Sequence, residues 1–392
     1  MKIAMVSIYP KQQTSQTESL GGVASYTKNL ATALYDAGNE IHVICNTTTD
    51  PEVYSENGIH VHRVFSKKWT FIFDAWKTIH RIRPDVVHVQ QELHLYGNIV
   101  TAYLLPFLLW SIRKPKTIVT IHGVVALSDV TETFVREQNS SLPTWIVKTA
   151  FYVLNHLLCR TTNRVIVHEE RFKRLLETEY NIHTKNIFVI PHGVNIQPTI
   201  PTPDARKTLN ILFDAKCLLF MGYYSSYKGI EFLVEAFSVY ASSHPDAFLL
   251  IAAGKHPKLQ DDPAYQEKYT FLQKRAKEII PNHQYRWVGF IPDDQIPLYY
   301  SACDALVLPY TYCLASSGPM AIALGYGKPI ISSTALRELQ ISIAYFESTI
   351  DGFSTTLDIL DLNAEQTKTS VSVFANTRAW KHIADITLRL YG

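Results

Sequence analysis

Short runs of consecutive apolar residues recur along this chain, and most are separated by stretches whose apolar residues return every three or four positions. Unbroken apolar runs mark strands buried on both faces, and the 3.6-residue return marks one-sided helices. Residues 2–7 open with a strand. A long polar segment, Lys11-Gln12-Gln13-Thr14-Ser15-Gln16-Thr17-Glu18, leads to Gly21-Gly22, after which Val23, Tyr26, Leu30, Leu34 and Ala37 share one helical face. Strands are predicted at 40–45, 59–64, 86–90, 117–121, 164–167 and 187–190, with helices at 71–82, 100–111, 144–159 and 171–180. The stretch 197–208, with Pro198, Pro201 and Pro203, predicts an interdomain linker. The alternation then restarts, with strands at 218–221, 248–252, 285–288, 305–308 and 330–332 and helices at 230–240, 265–280, 296–301 and 320–324. Residues 361–372 are polar and predict a loop. Residues 374–390 close the chain as a helix with Trp380, Ile383, Ile386 and Leu390 on one face.

Such alternation predicts parallel sheets covered on both faces. Its restart predicts two doubly wound α/β domains, at 1–195 and 209–373, followed by a C-terminal helix at 374–392. A length of 392 residues suits two domains, and 47% hydrophobic with 18% charged residues describes well-filled cores. The net charge of +2 carries no electrostatic signature for nucleic acid. Five scattered cysteines without a CxxC pair argue against a zinc or redox site and suit a reducing cytoplasm. The N-terminus is too short in apolar residues for a signal peptide. The apolar stretch 99–112 contains Pro106 and is too short to span a bilayer, so it reads as a core helix or, alternatively, a peripheral membrane-facing surface.

Two doubly wound domains imply a cleft between facing strand C-termini, the edge at which open α/β sheets bind ligands. Four segments should reach it: Gly21-Gly22 at a helix N-terminus, His122 at the end of strand 117–121, Gly222-Tyr223 with Lys228 beyond, and Ser316-Ser317-Gly318 before Pro319. Glycines let backbone amides approach a ligand, and a helix N-terminus favours an anion. A lysine at such an N-terminus opposes the macrodipole and so points to a bound anion. His122 would hydrogen-bond or shuttle a proton, with a purely structural histidine as the alternative. His88, Gln90, Glu92 and His94 alternate, but no third strong ligand set accompanies them. Gln90, Gln91 and Glu92 therefore read as acceptor-side hydrogen-bonding residues, with no metal. HExxH, GxSxG and GxxxxGK[ST] are all absent.

The segments LGGVASYTKNLATAL, PDVVHVQ, TIHG, VIPHGVN, GYYSSYKGIEFLVEAF, IAAG, VGFIPDDQIPLYYSACDALVLPY and GYGKPIISS, in that order over nearly the whole chain, resemble GT-B glycosyltransferases of family 4. The resemblance implies two Rossmann-like domains and transfer of a sugar from a UDP- or GDP-linked donor, with retention and without a metal or other cofactor. It implies an acceptor that is a carbohydrate, a lipid-linked compound or a small molecule. It also implies that Gly22 and Lys228 neutralise the leaving diphosphate, that the histidine at 122 contacts the donor sugar, and that the final helix crosses back onto the first domain. Two departures stand out. Tyr223 occupies the family's usual arginine position, and Leu314 and Ile322 occupy the places of its two glutamates. Ser316, Ser317 and the amides beside Gly318 are the nearest replacements. The departures keep two alternatives open, a phosphorylase or epimerase on the same fold and a non-catalytic nucleotide- or sugar-binding subunit.

Overall fold

The computed structural model describes residues 1–11, 22–97, 99–112, 114–137, 141–256, 259–313, 317–339, 344–360 and 365–392. In chain order the first half contributes β1 (Lys2–Val6), α1 (Gly22–Asp36), β2 (Glu40–Asn46), β3 (Glu52–Glu56), β4 (Ile59–Phe65), α2 (Phe71–Ile82) and β5 (Val86–Gln91). It continues with α3 (Ile99–Ala102), α4 (Leu105–Ser111), β6 (Lys116–Ile121), α5 (Glu132–Glu137), α6 (Thr144–Thr161), β7 (Arg164–Val167), α7 (Glu170–Thr178) and β8 (Ile187–Val189). These strands form one sheet in the order β3-β4-β2-β1-β5-β6-β7-β8. All neighbours are parallel except the β3–β4 pair at the edge.

The second half adds α8 (Thr202–Thr208), β9 (Lys216–Tyr223), α9 (Ile230–Ser243), β10 (Ala247–Gly254), α10 (Pro263–Ile279), β11 (Tyr285–Trp287), α11 (Ile296–Ala302) and β12 (Ala305–Leu308). It ends with α12 (Gly318–Gly325), β13 (Ile330–Ser333), β14 (Ala344–Phe346), α13 (Ile350–Ile359), α14 (Glu365–Thr377) and α15 (Trp380–Tyr391). The second sheet is wholly parallel, in the order β11-β10-β9-β12-β13-β14. The central strands are buried on both faces, as in Val86–Gln91 and Ala247–Gly254, because helices cover each side. In the first sheet α1 and α15 lie over one face with Ile3, Met5 and Val43. The opposite face, with Val6, Val89 and Val119, is covered by α2, α4, α6 and α7.

Several expectations are corrected. The proline-rich linker folds at its end as α8: Pro201 is the N-cap residue and Pro203 falls in the first turn, where a missing N–H costs nothing. The polar stretch 361–372 expected to be a loop is helical from Glu365, and within it Val371 is buried. The expected closing helix at 374–390 is two helices, α14 and α15, separated at Arg378 and Ala379. The helix expected at 100–111 is likewise divided, with Pro106 in the first turn of α4. Edge strands β3 and β14 and helix α13 were not anticipated from the pattern.

The two halves are tied by adjacent crossings. Gln197 N–H donates to the Gly325 carbonyl at 2.9 Å, and Val194 N–H donates to the Arg378 carbonyl at 2.8 Å, so the chain passes between the halves twice, side by side. α14 packs on α12, whereas α15 packs on α1. Trp380 lies against Gly193, where a Cβ would come within 2.4 Å of its ring. The Tyr391 hydroxyl lies 2.6 Å from His88 Nδ1, whose Nε2 lies 2.7 Å from Thr120 Oγ1.

Candidate functional site

The strand C-termini of the two sheets face each other. Arg171 of α7 reaches Glu338 of the second half at 3.2 Å, and Arg174 reaches the same carboxylate at 3.4 Å. The charge of Glu92, just beyond β5, acts on Tyr227, just beyond β9.

On the second-domain side, β9 ends in Gly222-Tyr223. Gly222 adopts φ +147°, and a Cβ there would come within 2.5 Å of Lys228 Nζ. Gly229, the residue before α9, has φ +64°, and a Cβ would meet the Pro309 carbonyl oxygen at 1.9 Å. Only glycine accommodates both the dihedral and the approach. The Lys228 side chain lies folded back against Gly222 at the strand end, 9% exposed. Burial pulls its ammonium down from 10.5 to about 8. Among the described residues no carboxylate lies within ion-pair distance of Nζ. The ammonium also stands at the N-terminal end of α9, whose dipole opposes it.

Tyr223 stacks near-parallel on Phe290, with centroids 6.3 Å apart, and lies 5.7 Å from the His256 ring. α12 begins at Gly318 with Ser317 as its N-cap residue. The Ser317 hydroxyl lies 3.1 Å from the Tyr310 hydroxyl and does not cap the helix, so the first-turn amides have no side-chain partner from it. Ile322 packs on the hydrophobic core. Gly21, Leu314, Ser316 and the 12–18 part of the polar loop lie outside the described residues.

On the first-domain side, Gly22 opens α1 with open space where a Cβ would project. His122 ends β6 but is buried, its ring edge-on to Tyr26 at 4.7 Å. His122 Nδ1 lies 3.2 Å from His168 Nε2, and His168 Nδ1 lies 3.0 Å from the Ile190 carbonyl. Burial, followed by the neighbouring histidines, holds His122 well below the ordinary range, and burial holds His168 near 3 and His192 near 4. All three rings are therefore neutral, which fixes the tautomers. His168 Nδ1–H must donate to the carbonyl, so its Nε2 accepts from His122 Nδ1–H. His122 Nε2 is then bare and needs a donor. The Gln90 side-chain amide lies 2.9 Å away, so its nitrogen belongs there. With its oxygen turned to the ring, that buried nitrogen has no partner. The neutral ring is held by hydrogen bonds on both nitrogens.

Of the acceptor-side candidates, Gln90 is fully buried and committed to His122, Gln91 is buried with an unpartnered Oε1, and Glu92 is exposed. His88 is committed to Tyr391 and Thr120. Among the described residues, Glu40, His42 and His60 come together as the one group with metal-ligating chemistry. They sit at the N-terminal ends of β2 and β4, away from the cleft. Lys2 Nζ at 3.2 Å and His42 at 2.9 Å already satisfy the Glu40 carboxylate.

A model of glycosyltransferase family 4 matches residues 20–198, and one of glycosyl transferases group 1 matches residues 202–343. The chain is a family 4-like glycosyltransferase of the GT-B fold. It is 26% identical to the mannosylfructose-phosphate synthase of Agrobacterium fabrum, over 40% of this chain and only 34% of that protein. It is 23% identical to a D-inositol 3-phosphate glycosyltransferase of Corynebacterium urealyticum, over 88% of this chain and 82% of the relative. HepE of Anabaena, solved in complex with UDP and glucose, superposes with a TM-score of 0.70 at 14% identity, covering 99% of this chain and 98% of that one.

Three residues packed beside the candidate ones were not singled out from sequence: His168 and His192 near His122, and Phe290 near Tyr223. For the histidines the signal was present: each follows an apolar strand as His122 does, His168 directly after β7 and His192 three residues after β8. Phe290 was missed because it lies in a loop beyond a three-residue strand.

Proposed function

We propose that this glycosyltransferase binds a nucleotide diphosphate sugar, UDP-linked in the first instance, on its second domain, and transfers the hexosyl group with retention to an acceptor held by the first. The division into 1–195, 209–373 and a C-terminal segment at 374–392, and action in the cytoplasm, belong to the same reading. The observation that carries it is Lys228, a buried ammonium at the C-terminal edge of β9 with no carboxylate at ion-pair distance among the described residues. Breaking the bond between the sugar's anomeric carbon and the phosphate oxygen leaves negative charge on the diphosphate. Lys228, the α12 amides at Gly318 and the α1 N-terminus at Gly22 would stabilise that charge. Tyr223 and Phe290 form an aromatic wall suited to the nucleobase, and His122, held by Gln90 and His168, would position the donor sugar.

A panel of UDP- and GDP-sugars assayed for transfer and for donor hydrolysis tests this reading. Lys228→Ala should abolish both; a variant with full activity overturns the assignment. A second reading, a phosphorylase, is favoured by Ile322 packing into the core where the family places a glutamate. It is the reading to adopt if thermal shifts answer phosphate and not UDP or GDP.

A further inference from the structure

Four of the chain's six tryptophans are solvent-exposed, and all four lie on one outer face of the first domain. Trp69, just before α2, is 63% exposed, Trp110 of α4 is 65% exposed and Trp145 of α6 is 67% exposed. Phe73 and Trp76 on α2 and Phe107 on α4 join them as exposed side chains. The three helices are neighbours, with α4 in contact with both α2 and α6, and all cover the same face of the first sheet. Their inward faces already fill the core with Phe71, Leu108 and Phe151, so the outward aromatics are surplus to folding. Trp69 packs edge-on to Phe73 and Trp76 lies on His80, so these side chains form exposed aromatic surface and not isolated residues, and such contiguous patches mark interaction sites.

The charge on this face indicates which partner. α2, α4 and α6 together carry one carboxylate, Asp74, against Lys77, Arg81, Lys148 and Arg160. Exposed Lys68 and Lys114 flank them. The chain as a whole is nearly balanced, with 37 basic and 35 acidic residues, so the imbalance is local. Tryptophan interleaved with lysine and arginine is the composition that settles at the headgroup level of an anionic bilayer. A second copy of the chain would bring two basic faces together and is disfavoured for that reason.

β4 and β5 are parallel members of one sheet, so α2 starts at the strands' C-terminal edge, and α6 likewise precedes β7 from that side. Trp69 and Trp145 therefore stand at the cleft end of the face. Among the described residues no helix is long and apolar enough to cross a membrane. We propose that this face is a peripheral docking surface for anionic phospholipid, seating the first domain on a bilayer with the rim of the cleft at the headgroups. The inference is independent of the donor assignment.

The test is co-sedimentation of the full chain with phosphatidylcholine vesicles, with and without phosphatidylglycerol, alongside tryptophan emission. The wild type should pellet with the anionic vesicles, with a blue shift, and release in high salt. Each Lys→Glu change on the face, as in Lys77→Glu and Lys148→Glu, should weaken partition about fivefold or more. Trp69→Ser/Trp110→Ser/Trp145→Ser should remove the blue shift while leaving melting temperature and donor hydrolysis unchanged. Wild type remaining in the supernatant with both vesicle types would overturn the proposal. So would undiminished binding by the triple variant, or a concentration-dependent dimer that the triple variant abolishes.

Discussion

Lys228→Met probes the centre of the site, because the structure fixes the sign of its effect on two quantities at once. The ammonium is drawn from 10.5 to about 8 by burial alone. Between those values the unfolded chain holds the proton and the folded chain does not, so stability rises with pH through that window. Below about 8 both states are protonated, and the folded protein bears the full cost of the buried charge. At roughly 1.4 kcal/mol per pH unit, that cost is about 3 kcal/mol. Methionine keeps the length of the stem without the charge. The variant should therefore be more stable than the wild type at pH 7, by up to about 3 kcal/mol, and the advantage should shrink from pH 8 to 10.5. Donor binding should move the opposite way. A charge-assisted hydrogen bond to a diphosphate is worth about 1.5–3 kcal/mol, so UDP affinity should fall roughly ten- to a hundredfold. A diphosphate beside Lys228 also raises its affinity for the proton, so UDP binding to the wild type near pH 8.5 should take up a proton. Urea unfolding of both proteins across this pH range gives the first quantity. Calorimetric titration of UDP in two buffers of different ionisation enthalpy gives the second. A variant no more stable at pH 7, binding UDP as tightly as the wild type, would refute the reasoning.

Three further outcomes follow from the geometry. His168→Leu strands the Nδ1–H of His122 in a buried site at a cost of about 1–3 kcal/mol; melting temperature and sugar-transfer rate should fall while UDP affinity holds, as steady-state kinetics and nucleotide titration will show. Gly229→Ala forces a side chain against the Pro309 carbonyl at positive φ, so chemical denaturation should register a loss above about 1 kcal/mol, with weaker UDP binding. The neutral His88, His168 and His192 lie below their unfolded value of 6.5. The unfolded chain binds more protons as pH falls beneath 6.5, and the three together should remove about 4 kcal/mol per pH unit down to roughly pH 4, visible as steep acid unfolding by circular dichroism.

The parallel strands were legible because burial on both faces writes an unbroken apolar run, as in Ala305–Leu308. Edge strand β3 was not, since Glu52–Glu56 pairs on one side only and stays half-exposed. α8 and α14 were hidden by composition. Prolines that begin a helix look like prolines that prevent one, and α14 is mostly polar with buried residues at Val371 and Ala375. Within the site, Gly222 and Lys228 could be read locally, because a turn at a strand end is a local event; the need for glycine at 229 comes from the Pro309 carbonyl, eighty residues on, and could not.

Sequence alone thus determined two doubly wound domains, the order of nearly all their central strands and helices, and the strand ends from which the cleft is built. Only the tertiary structure decided that Lys228 is buried with no carboxylate at ion-pair distance among the described residues, that His122 is a neutral member of a chain running from Gln90 to Ile190, and that Tyr391 of α15 meets His88. The physical reason is range. Hydrophobic periodicity is set by neighbours a few residues apart, whereas the state of a titratable group is set by whatever packing brings beside it. Tyr391 reaches His88 across 303 residues, and no local pattern encodes that meeting.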